Sequence, residues 1–338
     1  MRVNFGLQLP TWAAFPYEEV IEQAILAERA GFNYICVPDH FFLAEKWYRM
    51  FKATYERCDP MRRDMFDPWV ILSAVASITK KVKLGPGVTP VPYYNPARLA
   101  KIVVTLDHVS NGRVIFGAGA GWHREEANCY NVPWENFATR IKMMNEGIEM
   151  MKKLWTADAK VTWKGKYYRV EDAPAWPKPI QKPYPPIWHG GRGGEIVEAV
   201  GKLGDGWCPF LTTHDFTPQV YKEKWNRIKD LARKVGRDPT KIIPSSHIII
   251  SMEKDYDRAF QKYVASIRTL ISRGLTENKL TLKHGIFGTA EDCINRLEKY
   301  VEAGVRHFVL NPYPHPDDVR EFFKTFSEKI IPYFNEGV

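Results

Sequence analysis

Apolar residues along the chain fall into two alternating patterns. One is a short continuous run that ends abruptly in Gly, Pro, Asp or His. The other is a longer segment with apolar positions at steps of three and four. The run 3–9 ends at Pro10, and the segment 17–30 then places Val20, Ile21, Ala24 and Ile25 on one helical face before stopping at Gly31. The run 32–37 ends in Pro38-Asp39-His40, and 68–79 reads as the next helix. A third run, 82–84, breaks into Gly85-Pro86-Gly87-Val88-Thr89. The helix predicted over 96–109 has Asn95 as N-cap, Pro96 in its first turn and Ser110-Asn111-Gly112 as its stop.

A fourth strand is predicted at 113–117, leading into Ala118-Gly119-Ala120-Gly121, and a long amphipathic helix at 136–155 carries Ile141, Met144, Ile148, Met151 and Trp155 on one face. Strands at 186–188, 206–210, 242–250 and 307–311 complete the set, with helices at 195–203, 218–235, 256–273, 290–303 and 316–334. The strands are continuous rather than alternating, as expected when helices cover both faces of a parallel sheet. The pattern predicts a (β/α)8 TIM barrel, an α/β fold, with inserted loops at the strand C-terminal ends; periodicity alone leaves a doubly wound sheet open. No Pro/Ser-rich linker divides the chain, so 1–338 reads as one domain, and 158–186 reads as a hairpin and surface loop turning at Lys164-Gly165.

Composition narrows the class. Apolar residues make up 45% and charged residues 26%, a globular profile with no apolar stretch long enough to span a bilayer. The N-terminal residues lack a basic segment followed by an apolar one, so no signal peptide and a cytoplasmic location are expected. Five cysteines without a C-x-x-C pair predict free thiols. The net charge of +9 comes from dispersed Lys and Arg, so a solvated surface or an anionic small ligand is expected rather than nucleic acid.

In a barrel, chemistry gathers where strands end. Asp39-His40 stands after the second strand, Pro86-Gly87-Val88-Thr89 after the third, Gly119 and Gly121 after the fourth, and Gly190-Gly191-Arg192-Gly193 after the fifth. Histidine suits proton transfer near neutral pH. The glycine-rich turn opens a helix, so its backbone N–H groups and Arg192 suit a phosphate. Further histidines at strand ends, His123, His189 and His307, raise a metal site. None is expected, because the first strand lacks the H-x-H of barrel metallohydrolases. The stretch 41–66 mixes aromatic and basic residues and reads as a lid or a packed surface loop.

These motifs, taken in order, carry a resemblance. Ala27-Glu28-Arg29-Ala30-Gly31-Phe32, Pro38-Asp39-His40, Asn95-Pro96-Ala97-Arg98, Asp107-His108-Val109-Ser110-Asn111-Gly112-Arg113, Gly117-Ala118-Gly119-Ala120-Gly121-Trp122 and Leu203-Gly204-Asp205-Gly206-Trp207 together resemble the bacterial-luciferase-like oxidoreductases that use flavin or coenzyme F420. The resemblance implies a homodimer and a cofactor across the strand ends. It also implies a non-prolyl cis peptide within Pro86-Gly87-Val88-Thr89 and a phosphate on Gly190-Gly191-Arg192-Gly193. Asp39-His40-Phe41 looks like the motif of F420-using dehydrogenases, in which the histidine assists by proton transfer. Coenzyme F420 is therefore the expected cofactor, with His40 and Asp39 catalytic and a small organic substrate. Trp122 departs from the sugar-phosphate enzymes, which place a glutamate there; Glu125 and Glu126 come later. An FMN-dependent monooxygenase supplied by a partner reductase, and a non-catalytic flavin-binding protein, stay open as alternatives.

Overall fold

The computed structural model describes residues 2–11, 15–42, 65–211, 216–271, 285–312 and 318–336. All eight expected strands form: β1 (Asn4–Gln8), β2 (Tyr34–Val37), β3 (Lys83–Pro86), β4 (Phe116–Gly119), β5 (Ile187–Gly190), β6 (Gly206–Cys208), β7 (Ile243–Met252) and β8 (His307–Pro312). Adjacent strands pair in parallel, and the spatial order follows the chain from β1 to β8 and back to β1. The ring closes where Leu84 of β3 bridges Val114 just ahead of β4; the Leu84 N–H donates to Arg113 O at 3.0 Å and the Ile115 N–H to Leu84 O at 2.9 Å. Thr89–Pro90 extends this seam against Ala118 and Gly119. Closure rules out the doubly wound sheet, which would keep two open edges.

Both faces of the strands are buried, which accounts for their continuous apolar runs. In β2, Tyr34 and Cys36 point inward to an interior cluster with Ile115, Trp188 and Val309, whereas Ile35 and Val37 join the larger core under the helices. The helices around the ring are α1 (Tyr17–Arg29), α2 (Pro68–Ile78), α3 (Pro96–Val109), α4 (Phe137–Thr156), α5 (Gly194–Leu203), α6 (Pro218–Lys234), α7 (Tyr256–Ile271) and α8 (Ala290–Glu302), followed by a C-terminal helical segment from Val319. Their starts are written locally. Asn95 accepts from the Ala97 and Arg98 N–H groups, Asp67 from Trp69 and Val70, and Thr289 with Asp292 closes a capping box. The predicted apolar face of α4 is buried.

Two details differ from the sequence reading. The fourth strand begins at Phe116, not at 113, because Arg113 is used as a staple. Its guanidinium donates to Ser110 O, Thr79 Oγ1, Val82 O, Ala76 O and Thr79 O at 2.7–3.0 Å, tying the end of α2 to the turn after α3. A short strand, Ile286–Gly288, pairs with the end of β7 and was not foreseen, since three residues carry no periodicity. The proposed lid lies mostly outside the described residues. The predicted hairpin is present: Val161–Lys164 pairs antiparallel with Arg169–Ala173 around Lys164-Gly165.

Candidate active site

The turn after β2 sends two adjacent side chains to different partners. Asp39 is 5% exposed, and its carboxylate accepts from Thr89 Oγ1 at 2.6 Å and from Tyr94 OH at 3.0 and 3.1 Å. Thr89 follows β3, and Tyr94 lies just before α3, so the parallel pairing of β2 with β3 brings all three together. Burial pushes the Asp39 carboxyl up to about 7, because two neutral hydroxyls only partly replace its lost hydration.

His40 turns away from Asp39. Its Nδ1 lies 2.7 Å from Glu126 Oε2, and the same oxygen is 2.9 Å from His123 Nδ1. Glu126 sits on the short helix Arg124–Cys129 that follows the β4 glycines; its side chain is 1% exposed, while that of His40 is 24% exposed. Burial alone would raise the Glu126 carboxyl, but hydrogen bonds from His123 and His40 outweigh it and hold the group below its usual range. A carboxylate accepting at Oε2 fixes the tautomer with a proton on Nδ1, which makes Nε2 the acceptor nitrogen of the neutral His40 ring. Trp122 flanks the group, edge-on to His40 at 5.4 Å and stacked on His123 at 5.1 Å. The resemblance pairs Asp39 with His40 as catalytic residues; His40 instead donates its hydrogen bond to Glu126, which the sequence shows only as lying beyond Trp122. Tyr94 and His123 were likewise not assigned this role.

His40, His123 and Glu126 each offer one ligand atom within 4.8 Å of the others, a set that a cation could use. Both Nδ1 atoms stand at hydrogen-bond length from one carboxylate oxygen, so the arrangement is already complete as two donors on one acceptor.

The expected floor of a cofactor site lies beside this group. The Gly87–Val88 peptide is cis. Val88 packs where Gly119 and Gly190 lack side chains: a Cβ on either would meet Val88 methyl carbons at 2.7 or 2.8 Å. Gly119 therefore seats Val88, and Gly121, at φ +78°, packs on Tyr93. Pro86 O accepts from Tyr34 OH at 3.5 Å. Gly191 holds φ +104°, a conformation glycine adopts without penalty, and turns the chain from β5 into α5. Its carbonyl accepts from Trp207 Nε1 at 2.9 Å. Arg192 stands 5.9 Å above the Phe216 ring, and Gly193 is the N-cap of α5.

A cavity of about 110 Å³ lies between the cis peptide, Gly190, Gly191 and His247, and the buried Nε2 of His247 has no hydrogen-bond partner among the described residues. Burial lowers His247 to about 4, so the ring is neutral. An orphaned polar atom beneath an open glycine turn fits a site whose remaining contact is supplied by a bound group. His189 is fully buried, lowered to about 3 by burial, and stands close against Gly204. His307 opens β8 and so lies at the other end of the barrel. Neither belongs to the His40, His123 and Glu126 group.

Among the described residues, no helix is long and apolar enough to cross a membrane. Residues 4–307 match the model of the luciferase-like monooxygenases. An F420-dependent glucose-6-phosphate dehydrogenase of Amycolatopsis mediterranei (strain U-32) is 27% identical, covering 94% of this chain and 95% of its own length. Among solved structures, an F420-dependent secondary alcohol dehydrogenase in complex with an F420-acetone adduct superposes with a TM-score of 0.81 at 26% identity, covering 97% of this chain and 98% of that one. The coenzyme F420 dependent tetrahydromethanopterin reductase from Methanopyrus kandleri has the same fold, with a TM-score of 0.77 at 21% identity over 99% of this chain and 100% of its own. With the closed barrel, the cis peptide and the glycine turn in place, these matches assign the chain to the luciferase-like monooxygenase family of oxidoreductases.

Proposed function

We propose that this protein is a coenzyme F420-dependent oxidoreductase acting on a small organic substrate, with His40 as its proton-transfer residue and Glu126 as the group that positions it. The observation that carries the reading is the pairing of a partly exposed imidazole with a buried carboxylate at the strand C-terminal end. The F420-dependent relatives, which match along nearly the whole chain, support the choice of cofactor.

The cis peptide, the Gly190-Gly191-Arg192-Gly193 turn and His247 would hold the cofactor. When bound, the deazaflavin supplies hydride exchange with the substrate. The remaining work belongs to side chains. Glu126 keeps the His40 Nδ1 proton in place, so Nε2 accepts or donates a proton as charge changes on the substrate oxygen. Asp39, Thr89 and Tyr94 lock the turn after β2 and thereby the backbone that carries His40. The same reading takes 1–338 as one catalytic domain, working as a cytoplasmic homodimer.

Titration of the apo-protein with F420 and with FMN, followed by absorbance and fluorescence, tests the cofactor. Saturable F420 binding with weaker FMN binding is expected. Tight FMN binding with no response to F420 would overturn the reading and favour an FMN-dependent monooxygenase. His40→Ala is expected to lower kcat by about 100-fold or more while F420 still binds. Near-normal turnover would remove His40 from the reaction.

A further inference from the structure

The opposite end of the barrel holds a second opening, which the chemistry above does not use. A cavity of about 890 Å³ lies among the strand N-terminal ends. That is the size of an ordinary small-molecule site. Arg2, Arg29, Lys81, Lys83, Lys182 and Lys241 stand around it. Two carboxylates share the space, and both are already engaged. Glu28 accepts the backbone N–H groups of Lys80, Lys81 and Val82 at 2.6–3.0 Å. Asp205 accepts the Ile187 N–H at 3.0 Å and lies 3.5 Å from the Arg237 guanidinium. The opening therefore presents an excess of positive charge around a concave mouth, which focuses the field on an anion entering it.

A second observation is independent of the surface charge. Two buried polar side chains that line the cavity have an atom with no hydrogen-bond partner among the described residues, His307 at Nε2 and Trp188 at Nε1. They are 6% and 4% exposed, and their rings meet edge to face at 4.8 Å. Leaving a buried N–H unpaired is unfavourable, so two at one cavity mark a place where a bound group completes the bonding. Burial lowers His307 to about 3, so it meets a ligand as a neutral ring that can donate from Nε2. The apolar wall of Phe32, Ile115 and Tyr184 suits a ligand with an organic body.

We propose that the N-terminal opening of the barrel is a second ligand site, which binds a small organic phosphate with its charge on the arginines and lysines and its buried end on His307 Nε2 and Trp188 Nε1. The site does not depend on the F420 reading, because its arginines, lysines and His307 lie at the end of the barrel where strands start, while Asp39, His40 and Gly190-Gly191 lie where strands end; Trp188 stands inside β5, between this opening and the smaller cavity at Gly190 and Gly191. A four-residue strand such as β2 separates the two ends by roughly 10 Å.

ADP and inorganic pyrophosphate are the probes, titrated by calorimetry at fixed ionic strength into the full-length protein. Saturable binding at one site is expected, tighter for ADP than for pyrophosphate. The double variant Lys83→Gln/Lys241→Gln is expected to raise Kd at least tenfold, and His307→Phe to raise it by a similar factor. Arg192→Gln, at the other end of the barrel, is expected to leave Kd unchanged. In protein carrying ¹⁵N-labelled histidine, the His307 signal is expected to move on saturation while that of His40 does not. Absence of saturable binding, or binding that ignores the lysine pair and is lost in Arg192→Gln, overturns the proposal. Because the lysines are exposed, the double variant keeps the test decisive even where His307→Phe fails to fold. Failure of F420 to bind would not alter any of these outcomes.

Discussion

Asp39 and Glu126 are two carboxylates buried at the same end of one barrel, and they are held in opposite protonation regimes. Asp39 is 5% exposed and Glu126 1% exposed, so lost hydration alone would raise both. Asp39 is pushed up to about 7, whereas Glu126 is held below its usual range. The difference lies in the partners. Asp39 receives two neutral hydroxyls, from Thr89 and Tyr94, and Glu126 receives two imidazoles, from His40 and His123. A ring that can take up positive charge stabilises an anion far better in a low dielectric than a hydroxyl does. Low exposure alone therefore does not decide the charge of a carboxylate; how deeply it is desolvated and which donors face it decide together. Here one carboxylate anchors a turn and the other stays ionised to serve a histidine.

The comparison can be broken hardest at Glu126. Glu126→Gln keeps the shape but removes the charge, and is expected to lower kcat by roughly 10- to 100-fold with little change in the Kd for F420. Because the carboxylate must stay ionised, the acid limb of the kcat profile is also expected to move in this variant. A pH–rate profile of wild type and variant checks both outcomes, and an unchanged acid limb would show that Glu126 only fills space.

At Asp39 the expected effect is smaller and falls on stability. The folded-state value of about 7 lies above the unfolded one, so the folded protein holds the proton more tightly. The contribution of this group is complete below about pH 4 and declines as the pH rises toward 7. Asp39→Asn removes the charge and is expected to flatten that slope, leaving the variant more stable than wild type at pH 8 by about 1–3 kcal/mol. Urea unfolding at pH 5 and pH 8 measures it. A wild-type protein with the same stability at both values would count against a raised Asp39.

Tyr94→Phe should produce the smallest change. It removes one of the two hydroxyls that favour the ionised form, so Asp39 should titrate still higher. The stability cost is about 1 kcal/mol. NMR titration of the Asp39 carboxyl carbon reads the shift, and a downward movement would reverse the assignment of Tyr94 as a stabiliser of the charge.

The barrel was legible in the chain because each of its elements is signalled locally. Asn95, Pro96 and the Ser110-Asn111-Gly112 stop bound α3, and the apolar face of α4 repeats with helical period. The strand-end motifs were legible for the same reason, since Pro38-Asp39-His40 and Gly190-Gly191 interrupt apolar runs where a barrel places its chemistry. Arg113 misled the reading, because its five-donor side chain joins segments that only meet in the folded ring.

What the linear order determined, then, is the sequence of strands and helices, the end of the barrel where function gathers and the family to which the chain belongs. Tertiary structure decided the partners. Glu125 and Glu126 are neighbours in the chain, yet one helical step leaves the Glu125 side chain 46% exposed and that of Glu126 1% exposed against two histidines. Asp39 and His40 are neighbours too, and their side chains part toward residues 50 and 86 positions away. The pairing of β2 with β3 and the bridge from β3 to the start of β4 bring such residues together, and no local pattern encodes a contact between segments that meet only in the folded sheet.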